Sequence, residues 1–136
     1  MESLHSLSRF FFRPSWGLFL IRLGVGSIFL HHGWMKVQNI AGTVGFMAKV
    51  GIPAPLAYAA IVTEVVGGLM LIVGIWSRVA AVALGIVALV ATFAVSMPMR
   101  GLSGSEFELL LAAAAFGLAL TGAGKLRLTH TFEHEQ

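Results

Sequence analysis

Seven ionisable side chains lie inside or at the edges of long apolar runs: Arg22, His31, His32, Lys36, Glu64, Glu106 and Glu108. Hydrocarbon penalises charge, so each must pair, hydrate, reach a surface or change its protonation. Arg22 stands six residues beyond Trp16, about 9 Å into a helix, where its long side chain can snorkel toward the nearer interface. Glu64 falls near the middle of its run, and its short side chain reaches neither surface. If the two runs are antiparallel neighbours, Arg22 and Glu64 come to similar heights, so they are the first expected pair. Two readings follow: a buried ion pair that specifies packing, or the lining of a polar cavity for a headgroup or a proton-bearing ligand.

The helical period separates the adjacent histidines. At 100° per residue, His32 falls about 80° and Lys36 about 40° from Arg22, while His31 falls on the opposite face. Arg22, Gly26, His32, Gly33 and Lys36 therefore form one polar, small-residue seam, and His31 is expected to meet headgroups or another helix. His32 can serve as an interfacial hydrogen-bonding group, a proton-transfer or ligand-binding group together with Glu64, or an axial haem ligand. Adjacent histidines diverge on a helix, and the sequence holds no HExxH, so a two-histidine metal clamp is not expected. Glu106 or Glu108, at the start of the last run, can approach His32 and Lys36 from the same membrane side. Glu106 also has a purely structural reading as a helix cap. The candidate ligand-binding set is thus Arg22, His32, Lys36, Glu64 and Glu106.

The elements that must position these groups are four apolar runs, at about Trp16 to Trp34, Ala54 to Trp76, Val79 to Met97 and Phe107 to Thr121. A membrane core of about 30 Å needs roughly 20 helical residues, and the fourth run reaches that length only with its polar start near Ser103. Trp16 and Trp34 are eighteen positions apart, as are Tyr58 and Trp76, which sets each pair about 27 Å apart along a helix, a membrane-belt spacing. Pro53 and Pro55 suit a helix start and Pro98 a helix stop. Ser103 with Glu106 matches a capping box, and Gly122 with Gly124 an exit. The glycines at 24, 26, 67, 68, 74 and 85 and the run Ala112 to Ala115 suit close helix packing. No internal repeat or broken midplane helix is legible.

Composition agrees: 57 % of the 136 residues are hydrophobic, 11 % are charged, and the mean hydropathy is +0.88. The expectation is an all-α polytopic membrane protein, an up-down four-helix bundle forming a single domain over 1–136, with a short N-terminal segment (1–13) and a short C-terminal tail (125–136). The first run lacks a convincing cleavage site and is read as a mature span. Arg9, Arg13, Arg78, Lys125 and Arg127 outnumber Lys36, Lys49 and Arg100 on the opposite side, which favours cytoplasmic termini and an outward-facing HHGWMK segment. A net charge of +3 without a basic stripe argues against nucleic-acid binding. With no cysteine, this chain cannot carry a disulfide or dithiol exchange, so any redox role needs a bound cofactor or a partner.

Three segments in order, RLGVGSIFLHHGWMK, EVVGGLMLIVGIWSR and SEFELLL with GAGKLRL, resemble the DoxX-like family of small membrane proteins across approximately Ile21 to Leu128. Arg22, Gly26, His32, Gly33 and Lys36 match its first helix, Glu64, Gly67, Gly68, Gly74 and Arg78 its second, and Glu106, Gly122 and Gly124 its last. The family's aspartate after the final glycine motif is not matched; Thr129 and its neighbours occupy that region. The resemblance implies a four-helix protein of the cytoplasmic (inner) membrane, associated with oxidoreductases more than an enzyme by itself. It implies a scaffold or small subunit of a redox complex that docks a redox enzyme and presents a quinone. Competing readings are a small-solute transporter, which would need a homo-oligomer for alternating access, and a haem protein ligated by His32. Membrane lipids are the common partner in every reading.

Overall fold

In a computed structural model of the protein, residues 14–122 are described. They form α1 (Pro14–Gln38), α2 (Ile40–Lys49), α3 (Ala54–Val73), α4 (Ser77–Arg100) and α5 (Glu106–Thr121). Among the described residues, four helical stretches are long and apolar enough to cross a membrane: Trp16–Gln38, Ala54–Val73, Ser77–Arg100 and Ser103–Thr121. The chain is an all-α, polytopic membrane protein. Arg9, Arg13, Gly124, Lys125, Arg127 and Thr129 lie outside the described residues.

The glycines explain how the spans meet. A Cβ on Gly68 would stand 2.8 Å from both the Gly26 carbonyl oxygen and the Leu30 nitrogen. The backbones of α1 and α3 therefore touch, which lipid-immersed helices achieve only through small residues. One turn or two farther along, Gly33 lies against Glu64 and Val65, so the pair is antiparallel. Gly67 receives Leu84 of α4, and Gly85 of α4 lies under the Phe116 ring of α5. Val25, Phe29, Leu71, Leu84, Ala88, Leu111 and Ala115 make up the core between them. Gly24, by contrast, has open space around it and faces outward. Trp16, Trp34, Tyr58 and Trp76 are all about half exposed, as side chains facing lipid should be.

Several local expectations are corrected. Pro98 does not end the third span; a π-helical turn over Ala91–Ser96 precedes it, widening the ladder around the missing N–H, and the helix continues to Arg100 before Gly101 at φ 70°. A second π turn, Thr63–Gly67, interrupts α3. Both turns open beside a threonine whose Oγ1 donates to the carbonyl four residues back, Thr63 to Ala59 at 2.7 Å and Thr92 to Ala88 at 2.8 Å. In hydrocarbon that extra donor supports backbone the wide turn loosens. The capping box does not form: Ser103–Ser105 is a short 3₁₀ turn, Ser105 precedes Glu106 with no side-chain cap bond, and its Oγ donates instead to the Gly101 carbonyl at 2.7 Å. Gly122 does close α5, at φ 79° with its N–H on the Leu118 carbonyl at 2.8 Å.

The link between the first two spans is itself helical. Asn39 caps α2 by accepting from the Gly42 N–H at 3.0 Å, and none of the residues of α2 is buried. Its return to α3 passes through Gly51 at φ 90°. Between α3 and α4 the turn is tight, with Gly74 and Trp76 both left-handed.

Candidate ligand site

Glu64 pairs with Lys36, not with Arg22. The Lys36 Nζ lies 2.5 Å from Glu64 Oε1 and donates to it, and Glu64 is only 3 % exposed. The expected Arg22 pairing fails on register: the Gly26–Gly68 contact sets Gly33 opposite Glu64, and Arg22 lies eleven residues back on α1, about 16 Å away along the axis. Arg22 is buried at the other end of the bundle, with its guanidinium carbon 5.4 Å from the centre of the Phe19 ring.

A second charged group faces the first. Arg100 Nη2 donates to Glu108 Oε1 at 2.7 Å and to the Ser96 hydroxyl at 2.7 Å, while Ser96 Oγ donates to the same carboxylate at 2.9 Å. The three side chains close a triangle between α4 and α5, and the π turn ending at Ser96 brings that hydroxyl into it. Glu106, one of the expected ligand residues, is exposed and does not line the cavity described next, whereas Glu108 does.

Between these two groups lies a cavity of about 780 Å³. Its polar end is formed by His32, Lys36, Glu64, Ser96, Arg100 and Glu108. Phe29 and Leu111 floor it, and Thr43, Phe46 and Met47 of α2 lie along its rim. On the flank between α3 and α4 its lining includes Leu56, Ile86 and Val90, all about half exposed, so the cavity opens sideways toward lipid. His32 is half-buried on the cavity side with its ring 6.0 Å from Phe107, edge to face, within electrostatic range of Glu64, Lys36 and Glu108. His31 is exposed on the other face of α1.

The site's charges cancel, with Lys36 and Arg100 against Glu64 and Glu108. One oxygen of each carboxylate, Glu64 Oε2 and Glu108 Oε2, is buried and accepts no hydrogen bond. Among the described residues no group of three or more His, Cys, Asp or Glu side chains is arranged to hold a metal ion. The cavity meets the part-buried Lys36 ammonium, which can donate to an acceptor there, and the half-buried imidazole of His32, which can relay a proton beside it.

Sequence reasoning missed Ser96 and Arg100. They were legible as an i, i+4 pair on one face at the end of the third span, level with the start of the fourth. Pro98 between them obscured this, since a helix stopping at Met97 leaves Arg100 in a loop.

Four apolar helices enclosing a polar-ended cavity at one end of the bundle define a small polytopic membrane protein with a ligand-sized site. The chain belongs to the DoxX family, whose model matches residues 17–97. It is 32 % identical over 112 residues to the Bacillus subtilis (strain 168) protein named "Putative oxidoreductase CatD", covering 82 % of this chain and 84 % of that one. It is also 36 % identical over 67 residues to the Escherichia coli (strain K12) "Inner membrane protein YphA", covering 48 % of each. No solved structure matches the chain significantly.

Proposed function

We propose that this chain is a membrane-embedded subunit of a redox system and that its cavity receives the ring of a lipid-soluble quinone. One observation carries the reading: an apolar cavity open toward lipid ends in a net-neutral cluster of ion pairs and an imidazole. Its volume suits a single ring with the start of a tail, within the usual range of small-molecule sites. The names of the two relatives, an oxidoreductase and an inner membrane protein, point the same way. In this reading the protein resides in the cytoplasmic membrane with both termini inside and the cavity near the outer face.

The chain offers no cofactor-binding motif, so a partner enzyme's cofactor supplies or receives the electrons. Reduction of a quinone takes two electrons from that partner and two protons. His32 exchanges the protons at the ring oxygens, with the Glu64 carboxylate poised beside it. Lys36 holds Glu64 in place and orients the ring. Arg22, remote from the cavity, anchors the opposite end of the bundle and takes no part in ligand binding.

Titration of the purified protein with a short-chain quinone tests the reading. Saturable binding, weakened by both Glu64→Gln and His32→Ala, is expected. Affinity unchanged in both variants would place the ring elsewhere or dismiss it. Copurification of a redox enzyme from native membranes tests the partner, and flux of a solute through sealed vesicles would favour a transporter instead.

A further inference from the structure

A plain α-helix would not bring the end of α4 to the cavity. Ala80, Leu84, Ala88, Thr92 and Ser96 recur at every fourth position and are all buried. At 100° per residue each step of four drifts by about 40°, so an unbroken helix would carry Ser96 about 120° and Arg100 about 160° away from Leu84. The π turn over Ala91–Ser96 takes up that drift. It closes on i+5 where an α turn closes on i+4, and the one extra residue sets everything beyond it back by about 100°. Ser96 then comes to about 20° and Arg100 to about 60° from Leu84, and both line the cavity.

Thr92 belongs to this turn without touching the site. It is fully buried, does not line the cavity, and donates its hydroxyl to the Ala88 carbonyl at 2.8 Å. Back-bonding of this kind bends a helix and competes with its regular ladder, so it favours the wide turn over a plain one.

Arg100 carries the consequence into the cavity. Its side chain is 56 % exposed, and both of its hydrogen bonds, to Ser96 and Glu108, leave from Nη2. A guanidinium holds its five N–H groups in one plane, so pinning Nη2 fixes the plane. The N–H groups on Nε and Nη1 make no hydrogen bond among the described residues. Resting on the quinone reading above, we propose that Arg100 is a second ligand-binding group, donating to a ring carbonyl from the wall opposite Lys36. Thr92 is a positioning residue that acts on Arg100 through the π turn and Ser96. The ligand class is a ring dione, whose carbonyls accept from donors on two walls.

A double-mutant cycle on the full chain in lipid nanodiscs, titrated with duroquinone, tests this. Arg100→Lys keeps the charge that Glu108 needs but gives up the planar fork, and should weaken binding about tenfold. Thr92→Val should do the same, and Thr92→Ser, which keeps the hydroxyl, should stay within about threefold of the unaltered chain. The double variant Thr92→Val with Arg100→Lys should bind no more than about threefold more weakly than either single variant, because both remove the same contact. Should Thr92→Val not fold, Ser96→Ala, which breaks the link between the turn and the guanidinium, takes its place with the same expected order. Arg100→Lys binding as tightly as the unaltered chain would overturn the ligand contact and leave the quinone site standing. Additive weakening of about a hundredfold in the double variant would show Thr92 acting apart from Arg100 and overturn its positioning role. Thr92→Ser as weak as Thr92→Val would remove the hydroxyl as the cause. Absence of duroquinone binding by the unaltered chain would sink the quinone reading and this proposal together.

Discussion

At the scale of single residues, the Lys36–Glu64 pair is the most exacting feature of the site. A carboxylate almost wholly shielded from solvent is held by an ammonium that is itself only 28 % exposed. Replacing Lys36 by methionine leaves that charge stranded and should cost about 3 kcal/mol, the size seen when one member of a buried pair is removed. The double replacement of Lys36 by methionine and Glu64 by leucine should restore most of the loss, since a pair replaced by apolar groups is often nearly neutral. Thermal unfolding in detergent micelles, followed by circular dichroism, checks both; equal destabilisation of single and double variants would mean that the pair has no special hold on the fold. Charge exchange between Arg22 and Glu64 should rescue nothing, because they lie at different heights.

The identity of the polar residues was legible in the sequence, and so was the divergence of His31 from His32. Their partners were not. Which residue meets Glu64 depends on the height at which α1 crosses α3, and that height is fixed by the mutual approach of Gly26 and Gly68. Hydropathy marks where each span begins and ends but carries no term for how far one helix slides along another. The same gap hid the Ser96, Arg100 and Glu108 group, whose members come from two spans and meet through a π turn.

Among the elements, the crossing of α1 and α3 sets the site's geometry. Gly68→Ala would place a methyl group 2.8 Å from the Gly26 carbonyl and the Leu30 backbone, neither of which can give way as a side chain could. Overpacking of this kind typically costs about 1–3 kcal/mol. Gly24→Ala, with nothing nearby, should be neutral. Comparing unfolding midpoints of these variants separates a contact from mere helix propensity; equal effects would deny the crossing. Helix α2 is different in kind, since none of its residues is buried and it is tied down at Asn39 and Gly51. Its amides should exchange with deuterium well before those of the four spans. Protection over Ile40–Lys49 equal to that of α3 would show it clamped against something firmer. This helix was invisible in the sequence because its ten residues are too short to cross a membrane, and their apolar positions, interrupted by Gly42 and Gly45, read as a linker between two stronger hydropathy peaks.

For the whole molecule, the four spans follow almost directly from the apolar runs, since stretches of about 20 continuous apolar residues satisfy their backbone in lipid as helices. Orientation rests on a narrower base. Two of the three cations counted on the outer side, Lys36 and Arg100, are engaged in ion pairs within the bundle, so the charge bias comes mainly from segments beyond the described residues. A reporter fused to the C-terminus and active only in the cytoplasm should be active; activity confined to an outward-facing reporter would invert the proposed topology and put the cavity on the inner side.

The sideways opening between α3 and α4 changes what concentration means for this protein. A ligand that reaches the cavity through Leu56, Ile86 and Val90 is recruited from the bilayer, not from water. Its occupancy then follows the number of ligand molecules per lipid, so apparent dissociation constants in aqueous molar units should rise in proportion to the lipid added, while the mole fraction at half-saturation stays fixed. On the quinone reading, two membranes with the same protein but different quinone pools would therefore run it at different saturation, whatever the water phase contains.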